Sequence, residues 1–246
     1  MHIVGSGGLG ISSPYDCHVY LLSSARALAL IDAGSGLDTG QIIANIVALG
    51  HDPSRIEQIF LTHAHADHAG GAHQLAAHTG AQVFASEPEV SLLRAGSDEQ
   101  LGLDAARRNG TYPADYTYQH HETAAATEHG QEHRVGELTV RAIVVPGHTP
   151  GSTCYLVDCD GLRVLFSGDC VFPGGFVSVL NVPGSDAAAY RESLPALAGL
   201  GVDSLLSGHH LVRLRGGQVD LDRAIDRLRL SVIPNIAIGW LPPGGL

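Results

Sequence analysis

The 246-residue chain has room for one large domain, and with 44% hydrophobic and 16% charged residues it builds a core rather than a disordered coil. Its 14 basic against 25 acidic residues leave a net charge of −11, which argues against a nucleic-acid partner, because such binding rests on cations neutralising phosphates. All 14 cations are arginine, so P-loop, Schiff-base and Ser-Lys chemistry are excluded, while 15 histidines exceed what a core or surface calls for.

In chain order, two short apolar runs at 19–22 and 27–31, split by Ser23-Ser24, predict a hairpin that ends in the turn Asp32-Ala33-Gly34. Ile42, Ile43, Ile46, Val47 and Leu49 fall at helical spacing, and Gly50 with Pro53 ends that helix. Residues 58–62 read as a buried strand running into a histidine-rich loop, followed by a helix over about 70–78 and a strand over 82–85. From about 87 to 132 the character changes: apolar periodicity fades after Leu103, and Gly, Ala, His and Glu take over with Tyr112, Tyr116 and Tyr118, which predicts a partly helical insertion lying over something. Strands resume at 138–144, 154–157 and 164–166, and helices are expected at 186–197 and 220–232. Alternating strands and helices in both halves give an α/β (α+β) class with sandwiched sheets.

The start of the chain shows no basic stretch followed by an apolar one, so no signal peptide is expected. No apolar run approaches the roughly 20 residues that span a bilayer, so no membrane partner is expected. Cys17, Cys154, Cys159 and Cys170 form neither a CxxC pair nor a disulfide framework, which fits reduced thiols in the cytoplasm.

The chemistry concentrates in His63-Ala64-His65-Ala66-Asp67-His68, four potential metal ligands at the end of a buried strand, followed by Gly70 and Gly71. A loop there can turn successive side chains inward, as a regular helix or strand cannot, and imidazoles with carboxylates are the donors a catalytic divalent ion needs. His148, Asp169 and His209 each stand at a strand end beside small residues and complete a set of seven.

That ordered set, from Leu30-Ile31-Asp32-Ala33-Gly34 to Ser207-Gly208-His209, resembles the metallo-β-lactamase-fold hydrolase superfamily. The resemblance implies a four-layer αββα sandwich, here a single domain over 1–246 with a cap-like insertion at about 87–132. It implies two divalent ions, zinc by preference, with iron, manganese or cobalt compatible with the same donors. His63, His65 and His148 would hold one ion, Asp67, His68 and His209 the other, and Asp169 would bridge them. A hydroxide shared by the ions would be the nucleophile, and Asp67 would orient it or shuttle its proton.

Glyoxalase II and the quorum-quenching lactonases share all seven ligands, so the expected reaction is hydrolysis of a small ester-like bond, a thioester or a lactone. The alternatives are an iron-dependent dioxygenase of the same fold, a phosphoester hydrolase, a non-catalytic metal-binding scaffold and, last, a β-lactamase, since Asp169 is present and Lys absent. Lactonases commonly carry Tyr where this chain has Phe172, so substrate contacts are sought at Phe172 and, within the insertion, at Tyr112, Tyr116, Tyr118, His120 and His121. The apolar stretch 236–243, with the only Trp of the chain at 240, suggests a contact to a second subunit.

Overall fold

The computed structural model describes residues 1–236. Its first sheet has six strands in the order β1 (His2–Gly5), β2 (Val19–Ser23), β3 (Leu28–Ile31), β4 (Ile56–Phe60), β5 (Gln82–Ser86) and β6 (Ala125–Thr127). The predicted hairpin is present, with Tyr20 opposite Ile31 and Leu22 opposite Ala29. From β3 onward the pairing is parallel, so each crossover needs a helix: α1 (Thr39–Ala48) before β4, then α2 (Ala66–Ala69) and α3 (Ala72–Thr79) before β5. Asp38 starts α1 by accepting from the Gln41 N–H, and Gly80, at φ 79°, ends α3.

Only part of the expected insertion at 87–132 lies over the sheet edge. Its first segment, α4 (Glu87–Ala95), buries Val90 and Leu93, and β6 joins the sheet, with Phe84 opposite Ala125. The excursion is therefore 96–124, containing α5 (Leu103–Arg108).

The second sheet begins with β7 (Glu132–Val135), β8 (Leu138–Val144), β9 (Thr153–Cys159) and β10 (Leu162–Gly168) as an antiparallel meander. Helix α6 (Ala187–Ser193) then leads to β11 (Ser204–Ser207), parallel to β10, and α7 (Gln218–Arg229) follows. The two helices expected at 186–197 and 220–232 are present with shorter bounds, and residues 194–197 form a 3-10 turn.

Period-two side chains explain the four layers. Val19, Leu21, Leu28 and Leu30 face outward against Ile42 and Ile46 of α1 and Leu75 of α3. Their neighbours Tyr20, Leu22, Ala29 and Ile31 face inward, meeting Tyr155, Val157, Val164 and Phe166 of the second sheet. Leu156 and Leu165 then point to the far side, against Leu194, Leu221 and Leu228. The result is an αββα sandwich whose strands β4, β8, β10 and β11 all end at one edge. No helix among the described residues is long and apolar enough to cross a membrane. Apart from Ile236, the apolar stretch at 236–243 lies outside the described residues.

Candidate metal centre

All seven side chains singled out by spacing meet at that edge. His63 and His65 follow β4, Asp67 and His68 sit on α2, and His148, Asp169 and His209 follow β8, β10 and β11. His148 Nε2 stands 3.2 Å from His63 Nε2 and 3.0 Å from His65 Nδ1. A second cluster joins His209 Nε2 to His68 Nε2 at 3.2 Å and to Asp67 Oδ2 at 2.9 Å. Asp169 lies between them: Oδ1 is 3.4 Å from His68 Nε2, and Oδ2 is 3.7 Å from both His148 Nε2 and His209 Nε2.

The hydrogen bonds behind the rings decide what the facing nitrogens carry. His148 donates from Nδ1 to the Ser178 carbonyl (3.0 Å) and His68 from Nδ1 to Asp32 Oδ2 (2.8 Å). Thr62 Oγ1 donates to Asp32 and accepts from His63 Nδ1, at 3.0 Å in each case. Burial pushes the His63 and His148 imidazoles below their ordinary value, and His65 down to about 3, so these rings are neutral at pH 7. The Nε2 atoms of His63 and His148 therefore face each other with lone pairs and no proton to share. Asp169 Oδ1 is buried without a hydrogen-bond partner. Such a donor set is satisfied by cations, and the residues fit divalent metal binding.

Burial alone would raise the Asp67 and Asp169 carboxyls. The neighbouring His68 and His209 outweigh it at both and hold them well below the usual carboxylate range. Both acids are ionised at neutral pH.

Glycine admits the close approach of the strand ends. A Cβ on Gly208 would lie 2.5 Å from His68 Cε1 and 2.6 Å from Asp169 Oδ1, so no side chain fits there.

Two acids not assigned a role from sequence hold the site in place. Asp32, buried at φ 62°, accepts from the Thr62 N–H at 2.7 Å as well as from His68. Its only sequence signal is an Asp before a small residue and a glycine at the end of a buried strand. Glu89 on α4 is fully buried and accepts from the Ala64 N–H (2.7 Å), the Thr149 hydroxyl (2.7 Å) and the Gly151 N–H (2.8 Å). It thereby ties the loop of His63 and His65 to that of His148; nothing in the local pattern marks it.

The expected substrate contacts divide. Tyr112 borders a cavity of about 320 Å³ above the cluster, but its hydroxyl is spent on Asp67, donating to Oδ1 at 2.7 Å. Tyr116 stacks on Tyr112 and donates to the Ser35 carbonyl at 2.7 Å, so it braces the segment rather than facing the cavity. Tyr118 is buried in the first outer core. His120 directs Nδ1 to the Leu93 carbonyl (3.1 Å), and His121 faces His73; both border a separate hollow beside α3. Phe172 is buried, its N–H bonded to the Phe176 carbonyl, and does not border the cavity. Apolar packing claims Tyr118 and Phe172, and backbone carbonyls claim the free polar ends of Tyr116 and His120.

The family model of the metallo-beta-lactamase superfamily matches residues 13–209. Among solved structures, a Cronobacter sakazakii metallo-beta-lactamase described by its HARLDQ motif superposes with a TM-score of 0.70 at 25% identity, covering 88% of this chain and 86% of that one. An atrochrysone carboxyl ACP thioesterase of Aspergillus fumigatus is 29% identical over 210 residues, 85% of this chain and 55% of its own. A hydroxyacylglutathione hydrolase of Albidiferax ferrireducens is 29% identical over 186 residues, 74% of this chain and 58% of its own. The chain spans about half the length of the first of these curated relatives and of others like it. With its fold, the edge at which its strands converge and the span of the match, the chain belongs to the metallo-beta-lactamase superfamily.

Proposed function

We propose that this chain is a dinuclear-metal-dependent hydrolase that cleaves a thioester of a small molecule. The observation that carries the reading is the position of Asp169, within 3.7 Å of His148 on one side and of His68 and His209 on the other. A carboxylate so placed is suited to bridging two cations, with His63, His65 and His148 holding one and Asp67, His68 and His209 the other. Two such ions, zinc for preference with these donors, would supply Lewis acidity toward water and the scissile carbonyl.

The chain's own groups then have definite tasks. Asp32, Thr62 and the Ser178 carbonyl orient three imidazoles through their far nitrogens, leaving the near nitrogens free to donate. Asp67 borders the cavity with Oδ1 fixed by Tyr112, so Oδ2, which faces His209 and His68, is the oxygen that would join the second cation and from there orient water. The segment around α5 covers the floor and limits access of bulk water.

Thioester is favoured over lactone because relatives named as a thioesterase and as a hydroxyacylglutathione hydrolase align over most of the chain, and because among the described residues the one tyrosine bordering the cavity, Tyr112, has its hydroxyl bonded to Asp67 and does not replace the one missing at Phe172. The test is metal content by mass spectrometry, with turnover on thioesters, lactones, phosphodiesters and β-lactams before and after chelation. Two ions per chain with thioester cleavage that chelation abolishes is the expected result. One iron per chain with oxygen uptake would establish the dioxygenase instead, and bound metal without turnover of any panel member a binding scaffold.

A further inference from the structure

We infer that the group this site accepts beside the scissile carbonyl is an uncharged, apolar acyl group; the assignment rests on the hydrolase reading above and names its substrate class. The cavity lies between the two halves of the chain. One wall is α5 with the residues leading into it, and the other is the loop at 180–182. The walls approach closely where Gly102 faces Val182, since an added Cβ on Gly102 would sit 3.5 Å from Val182 Cγ1.

Leu101, Ala105, Ala106, Leu180 and Val182 make those walls apolar. The polar groups bordering it are the uncharged Asn109, Thr111 and Asn181, the Tyr112 hydroxyl already bonded to Asp67, and the floor with its histidines and aspartates. No arginine borders the cavity among the described residues, and the sequence has no lysine. Arg107, on α5 itself, is turned away: its Nε and Nη2 donate to the Tyr116 carbonyl at 2.9 and 2.6 Å, and it pairs with Asp98.

A carboxylate carried on the acyl group would lose its water against these walls and find no cation on them, a cost that an apolar chain of the same length avoids. Each methylene laid on the walls is instead favourable by transfer from water. A substrate with a carboxylate at that end is therefore rejected, and a plain alkyl or aromatic acyl group is preferred.

The experiment uses metal-loaded protein and a series of N-acetylcysteamine thioesters: acetyl, butanoyl, hexanoyl and adipoyl, the last being hexanoyl with a terminal carboxylate. From acetyl to hexanoyl, kcat/KM is expected to rise by up to about fourfold per methylene. Adipoyl is expected to fall about tenfold or more below hexanoyl. Val182→Asp should lower the ratio of hexanoyl to acetyl turnover, and Asn181→Arg should narrow the gap between adipoyl and hexanoyl. A flat response to chain length, or adipoyl turned over as well as hexanoyl, overturns the acyl assignment while leaving the hydrolase intact. In a parallel calorimetric titration, the inert thioether S-hexyl-N-acetylcysteamine should bind and its 5-carboxypentyl counterpart should bind about tenfold more weakly. That arm decides the acyl assignment even if no thioester is cleaved, an outcome that would overturn the hydrolase reading instead; equal binding of the two thioethers overturns the assignment.

Discussion

Tyr112 grips Asp67 at two points, its hydroxyl donating to Oδ1 at 2.7 Å and accepting from the Asp67 backbone N–H at 3.0 Å. The two residues come from the covering segment and from α2, so the cover and the candidate metal loop form one hydrogen-bonded unit.

Tyr112→Phe removes both contacts and leaves the ring packing in place. The metal affinity of the Asp67 cluster is expected to fall about tenfold, read by competition with a chromophoric chelator, with the fold unchanged by circular dichroism. A residue that only touched substrate would raise KM and leave metal affinity where it was.

Asp32→Asn tests the support behind His68. Asparagine tolerates the left-handed backbone at φ 62° and can still accept from the Thr62 N–H, but it brings no charge to His68 Nδ1. Of the two metals proposed above, the one held by His68 should bind about 10- to 100-fold more weakly. Dialysis followed by metal analysis should then return close to one ion per chain, and two retained ions would refute the role.

Asp169→Ala removes the carboxylate that lies between both clusters. Turnover and the content of at least one ion should drop together. A variant that kept two tightly held ions and full activity would remove the bridge from the mechanism.

Metal binding should also be visible as stability. At free zinc 100 times its dissociation constant, linkage contributes about 2.7 kcal/mol, and chelation should lower Tm by roughly 5–10 °C. Scanning calorimetry with and without chelator measures it, and an unchanged Tm would mean that the facing imidazoles do not need a cation.

Glu89→Gln replaces an acceptor of three hydrogen bonds by a group whose NH2 must face at least one donor. Burial pushes the Glu89 carboxyl above its ordinary value despite those three bonds, which marks how little water reaches it. The substitution should cost about 2 kcal/mol, read as a lower urea midpoint at unchanged slope.

The meeting of the seven side chains is legible in the sequence because they come from four segments where a buried strand gives way to small residues, and a converging edge explains four such segments. The sandwich is legible for a related reason: the apolar runs at 19–22 and 27–31 are buried on both faces, as strands between a helix layer and a second sheet must be. Asp32 is legible only as an acid in a turn after a buried strand, without its role, and Glu89 is not legible at all, since a single acid has no spacing and its value comes from donors brought in by distant segments. Tyr118, His120, His121 and Phe172 show the converse. Their chemistry suits a site, but packing and backbone carbonyls compete for the same groups, and only the path of the chain decides between them.

Glu89 and β6 have a consequence for how this protein could diversify. Both fall within the insertion expected at 87–132, yet one clamps the ligand loops and the other completes the first sheet. The exchangeable cassette is thus narrower than the sequence suggests, spanning 96–124. A graft from a relative within those limits can change the acyl wall while the clamp stays in place, provided that the donor brings a hydroxyl to Asp67. A graft that began at 87 would replace the wall and dismantle its foundation in the same step.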